Sequence, residues 1–163
     1  MPLSDLRYLR VPYRDPAGVT RTGELAVHAD VARDITDVFV ELWELGYPIT
    51  SMRLVDDFGG DDDASMAADN TSGFNCRIVT GGWTWSEHAY GLALDLNPVE
   101  NPYVRDGRVA PPAALAYMDR PDVPGVLHAN DPVVAAFAAI GWTWGGSWRG
   151  SVVDYQHFSL RGR

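Results

Sequence analysis

Cysteine is nearly absent from this chain: Cys76 stands alone among 163 residues. One thiol excludes an internal disulfide and any cysteine-rich zinc site. It also offers little as a nucleophile, because no partner signature accompanies it and a lone cysteine usually serves as a small buried residue. Basic residues are few as well. Thirteen Lys and Arg face 22 Asp and Glu, for a formal charge of −9. That balance argues against nucleic acid and anionic membrane surfaces as partners, since phosphate binding needs clustered cations. No apolar run approaches the ~18 residues that span a bilayer. The opening stretch, MPLSDLRYLRVPYRD, lacks the charged-then-apolar order of a secretion signal. A mature form, another export route and an intracellular life all fit it. No Gly-x-Ser-x-Gly elbow is present, and Gly145–Gly146 lacks the Lys and spacing of a phosphate loop.

What is present is globular material, 46% hydrophobic and 21% charged, long enough for one domain over 1–163 with a buried core and expected to be a monomer. Apolar residues at Val31, Ile35, Val38, Phe39, Leu42 and Leu45 follow the helical period, and Gly46 and Pro48 stop that helix. Residues 48–55 read as a short strand, 74–80 as extended, 91–97 as a strand, 111–120 as a short helix and 151–160 as one closing strand. Residues 131–142 read as a helix with Asp131 as N-cap and Pro132 in the first turn. The acidic block 55–70, with Asp56, Asp57, Asp61, Asp62, Asp63 and Asp69, lacks the spacing and closing Glu of a calcium loop. It reads as a solvated or helix-capping loop holding a short helix. Helices and strands mix without a βαβ rhythm, so the expected class is α+β: a small, mainly antiparallel sheet flanked by helices.

Histidine is scarce too, with four in the chain. His28 and His128 read as surface or capping residues. His88 precedes the segment GLALDLN, in which strand alternation sends Leu92, Leu94 and Leu96 to one face and Ala93, Asp95 and Asn97 to the other. A turn at Gly91 could fold His88 back onto Asp95. Alone, such a pair reads first as a structural hydrogen bond. A second pair, Asp154 and His157 in DYQH, changes that reading. In a strict strand these two point to opposite faces, so they converge only where a turn or bulge re-aims Asp154. Two His–Asp pairs brought together are what a catalytic zinc ion needs: three N/O ligands and an open position for water.

SEHAYGLALD resembles the Ser-x-His-x6-Asp motif of zinc D-Ala-D-Ala carboxypeptidases and related L-Ala-D-Glu endopeptidases, and DYQH resembles their later Asp/Glu-x-x-His motif. The likeness is closest to the VanY-type branch and extends to DDDASMAADNTSGFNCR, NPVENPYV and IGWTWGG. The resemblance implies a Hedgehog/DD-peptidase fold and hydrolysis of peptidoglycan stem peptides at the bacterial cell wall. It also implies one Zn2+ held by His88, Asp95 and His157, with Asp154 as general base. Two neutral imidazoles and one carboxylate would leave the site about +1, enough to lower the pKa of a bound water toward ~7. The family's oxyanion-stabilising arginine lies upstream in an SGYR-like context. This chain departs from it, with TSMR and GFNCR, so Arg53 and Arg77 both stand as candidates and Arg53 is slightly favoured. Ser86 could hold substrate or cap the turn. Trp85 and Gln156 are further candidates for substrate contact, and Trp83, Trp142, Trp144 and Trp148 flank the site as core, scaffold or cleft wall. The rival readings are a zinc-containing module that binds peptide without cutting it, and an intracellular D-Ala-D-Ala dipeptidase.

Overall fold

The computed structural model describes residues 1–162. The chain opens with a hairpin that the expectations above do not contain. β1 (Leu6–Arg14) pairs antiparallel with β2 (Thr20–His28). Asp15 shapes its turn, with Oδ1 accepting from the backbone N–H groups of Ala17 and Val19 at 3.0 and 2.9 Å. On the inner face Val11, Leu25 and Val27 are buried. Against them packs α1 (Ala32–Leu45), through the expected stripe of Ile35, Val38, Phe39 and Leu42. Burial of each such side chain contributes about 1.5–3 kcal/mol. The helix ends at Gly46.

The strand expected over 48–55 contracts to β3 (Ser51–Met52). The acidic block supplies α2 (Asp62–Ala67), N-capped by Asp61, whose Oδ1 accepts from Ala64 N at 3.1 Å. β4 (Asn70–Thr71) then pairs in parallel with β3. Six short strands complete the architecture: β5 (Ala93–Asp95), β6 (Tyr103–Arg105), β7 (Arg108–Ala110), β8 (Thr143–Trp144), β9 (Val152–Asp154) and β10 (His157–Ser159). They form two antiparallel sheets, in the orders β5-β10-β8 and β7-β6-β9. The class is therefore mixed α+β, with several small sheets in place of one.

α3 (Pro132–Ala139) begins after Asp131 as expected. The Asp131 side chain turns away from the helix, however, and accepts from His128 N at 2.5 Å. The helix expected over 111–120 is a 3-10 helix, Pro112–Tyr117. The expected closing strand over 151–160 is a correction with consequences. It breaks at Tyr155–Gln156 into β9 and β10, which belong to different sheets. Phe158 stacks on Phe137 with ring centroids 4.1 Å apart, beside Leu94, Leu96 and Trp142 in the core. Among the described residues, no helix is long and apolar enough to cross a membrane.

Candidate metal centre and cleft

Register sets the first two site residues. In the β5–β10 pair Asp95 stands directly opposite His157, and Leu94 opposite Phe158. Side chains alternate faces, so Leu94 and Phe158 enter the core while Asp95 and His157 emerge together on the other side. His157 Nδ1 lies 3.1 Å from Asp95 Oδ1. The leucine alternation thus serves to aim one carboxylate.

His88 arrives from a 3-10 helix, Glu87–Tyr90, capped by Ser86, whose Oγ accepts from His88 N at 3.3 Å. Gly91 ends this helix with φ +65°, and a Cβ there would meet His28 N at 2.5 Å. Only glycine fits that turn, and the turn feeds the chain into β5. The His88 Nδ1–H donates to the Gly73 carbonyl at 2.7 Å. This fixes the tautomer and leaves the Nε2 lone pair facing inward. That nitrogen lies 3.2 Å from His157 Nδ1 and 3.2 Å from Asp95 Oδ2.

The three residues are buried, and their ligand atoms all lie within 4.8 Å of one another. Donors bound to a tetrahedral zinc at about 2.1 Å stand roughly 3.4 Å apart. The observed separations of 3.1–3.2 Å between nearest donor atoms fit one such ion, and the set of two imidazoles and one carboxylate fits its chemistry. His88, Asp95 and His157 therefore form a single Zn2+ site. Burial pushes the Asp95 carboxyl up, but the charges and hydrogen bonds of His88 and His157 outweigh it and hold the group well below the usual carboxylate range.

Asp154 reaches the same cleft from the other sheet. Its strand pairs with β6, Tyr103 facing Asp154. The break after it is held on several sides. Tyr155 N donates to Pro102 O at 3.1 Å, the Trp144 indole donates to Tyr155 O at 2.7 Å, and Leu96 N donates to Gln156 O at 3.0 Å. The Arg120 guanidinium lies over the Tyr155 ring at 4.2 Å. Gly145 is needed as well, since a Cβ there would come within 2.5 Å of Asp154 O and 3.3 Å of His157 Cβ. The bend carries Asp154 and His157 to one cavity despite their three-residue spacing. Asp154 Oδ1 is buried with no hydrogen-bond partner in the protein. Burial, reinforced by the negative charge of Asp95, raises this carboxyl to about 7.

The cavity measures about 530 Å³ and is lined by Asp95, Asp154 and His157. Ser86, Trp85 and Gln156 line it too. Ser86 is also the cap that holds His88, while Gln156 Nε2 contacts Met66 Sδ at 3.5 Å. Trp148 closes on His157 with centroids 5.5 Å apart. The two arginines separate. Arg77 lines the cavity, with Nε 2.9 Å from Asp62 Oδ1 and Nη2 4.0 Å from Asp95 Oδ2. Arg53, the favoured candidate, lies outside that lining; it is exposed, paired with Asp57 at 2.9 Å and laid over Phe58. The reason is local: β3 ends at Met52, and the next residues turn into a 3-10 helix, Val55–Phe58, that offers Asp57 as a near partner. Asp62, Tyr103 and Arg105 are among the lining residues that were not expected at the site. Asp62 was legible only as one acid among several in its block. His28 caps a 3-10 helix, accepting from Asp30 N through Nδ1, and Cys76 is an exposed free thiol.

A family model described as D-alanyl-D-alanine carboxypeptidase matches residues 80–160. That span contains His88, Asp95, Asp154 and His157, and ends one residue after β10. No curated protein and no solved structure matches the chain.

Proposed function

The chain belongs to the D-alanyl-D-alanine carboxypeptidase family and is a zinc metallopeptidase, and from that premise we propose that it hydrolyses peptide bonds in peptidoglycan stem peptides at the bacterial cell wall. The observation that carries this reading is the buried Asp154 Oδ1, which has no hydrogen-bond partner and lies in the cavity lined by Asp95 and His157 of the metal cluster. A carboxyl raised to about 7, with one buried oxygen left free, suits proton transfer near neutral pH. The mixed architecture is consistent with the Hedgehog/DD-peptidase fold.

His88, Asp95 and His157 would hold the ion. When bound, zinc supplies Lewis acidity: it polarises a carbonyl and lowers the pKa of water. The rest falls to side chains. Asp154 takes a proton from the attacking water and returns it to the leaving amine. Arg77, at the cleft wall, faces the carbonyl oxygen as negative charge develops there; such a donor is worth about 10²–10³ in rate. Ser86 and Gln156 offer polar contacts to the peptide backbone, while Trp85 and Trp148 pack its apolar parts and exclude water.

Incubation with purified sacculi, followed by mass analysis of released fragments, tests the reading. Free D-Ala would identify a carboxypeptidase and new N-terminal D-Glu an endopeptidase. Turnover of free D-Ala-D-Ala with no release from sacculi would refute the cell-wall substrate.

A further inference from the structure

Arg77 sits between two carboxylates, and only one of them belongs to the metal cluster. Its Nε lies 2.9 Å from Asp62 Oδ1, and its Nη2 lies 4.0 Å from Asp95 Oδ2. Asp62 stands in the first turn of α2 and is itself anchored, accepting from Asn75 Nδ2 at 3.0 Å. Asn75 is tied to the cluster through its backbone, donating to the His88 carbonyl at 3.1 Å. Both partners of the pair are mostly buried, with side-chain exposures of 23% for Arg77 and 22% for Asp62.

This placement addresses an electrostatic conflict. Asp95 is the one anionic ligand in the cluster. A guanidinium free to swing across the remaining gap would form a charge-assisted pair with that carboxylate, competing with the ion for it. A guanidinium and a divalent cation also repel each other at this range. A second carboxylate on the far side of the arginine relieves both problems. We propose that Asp62 is a positioning residue that holds Arg77 off Asp95, so that a fixed cation and a zinc ion can occupy the same cleft. The idea rests on the oxyanion role given to Arg77 above.

The test compares Asp62→Asn, Asp62→Glu and the double variant Asp62→Asn/Arg77→Gln. Asp62→Asn keeps the size and an oxygen for Asn75 but removes the charge. Zinc affinity is measured on metal-stripped protein by competition with a chromophoric chelator, and kcat and KM are measured on the loaded enzyme. In Asp62→Asn, zinc affinity should fall about tenfold or more, the range seen when groups behind metal ligands are removed, and kcat should fall with it. Asp62→Glu should recover most of both. The double variant should regain wild-type zinc affinity without regaining kcat, because the competing arginine is gone. Unchanged zinc affinity in Asp62→Asn would overturn the proposal. So would a loss that persists in the double variant, which would mark a packing defect. Zinc affinity is read without substrate, so its outcome stands apart from whether stem peptides are cut.

Discussion

Replacing Asp154 by Asn should stabilise the metal-free protein, and by an amount that depends on pH. The carboxyl is raised from an ordinary 3.8 to about 7, first by burial and then by the charge of Asp95. A folded-state pKa above the unfolded value means that the folded protein holds a proton the unfolded chain has released. Between about pH 4 and pH 7 the wild type therefore loses stability as pH rises, at up to about 1.4 kcal/mol per pH unit. The accumulated loss is up to about 4 kcal/mol above pH 7. An amide of the same shape carries no charge to bury and escapes it. The variant and wild type should thus differ little at pH 4, and the variant should be more stable by roughly 2–4 kcal/mol at pH 8. Urea unfolding of chelator-treated protein at the two pH values measures the gap. Zinc favours the charged carboxylate, so the gap should narrow in the loaded protein. A gap independent of pH, or a variant less stable than wild type at pH 8, would refute the reasoning. The same variant should lose about 10²–10⁴ in turnover, since its amide cannot accept a proton.

Hydrolysis by the wild type should fall as pH drops through an acid limb at or below about 7, where Asp154 takes up its proton; a rate still constant at pH 5 would exclude it as base. Chelation should abolish activity and added zinc restore it, while zinc at one hundred times its dissociation constant should raise unfolding stability by about 2.7 kcal/mol. Arg77→Ala should lower kcat about 10²–10³-fold, whereas Arg53→Ala, which removes an exposed ion pair, should leave turnover near wild type; equal effects would undo the distinction. Gly145→Ala should cost about 1–3 kcal/mol in thermal or urea unfolding and weaken zinc binding, because the added methyl runs into Asp154 O and His157 Cβ.

Parts of this site could be read before any coordinates. The alternation in residues 91–97 correctly placed the leucines in the core and Asp95 opposite them, because period-2 patterning needs no tertiary information. The α1 stripe was legible for the same reason. The β1–β2 hairpin was not, since Pro12 and the arginines at 7, 10 and 14 obscure its pattern and most of its outer face is solvated. The break at Tyr155–Gln156 was invisible for a different reason. Every residue from 151 to 160 tolerates a strand, and what divides it is a set of distant partners: Trp144, Pro102, Leu96 and Arg120. The different placement of Arg53 and Arg77 was not legible either, because it follows from which carboxylate each meets: Asp57, one helical turn on, for Arg53, and Asp62, fifteen residues back, for Arg77.

The division of 151–160 between two sheets has a consequence for how such a site can change. Asp95 and His157 on one side, and the proposed base Asp154 on the other, hang from separate sheets joined by two residues. Substitutions along β6 and β7 reach Asp154 through Tyr103, while the β5–β10 ladder that aims Asp95 and His157 is untouched. Metal retention and the reach of the base can therefore drift independently, and a lineage could explore new substrates at one wall of the cleft without first surrendering its zinc.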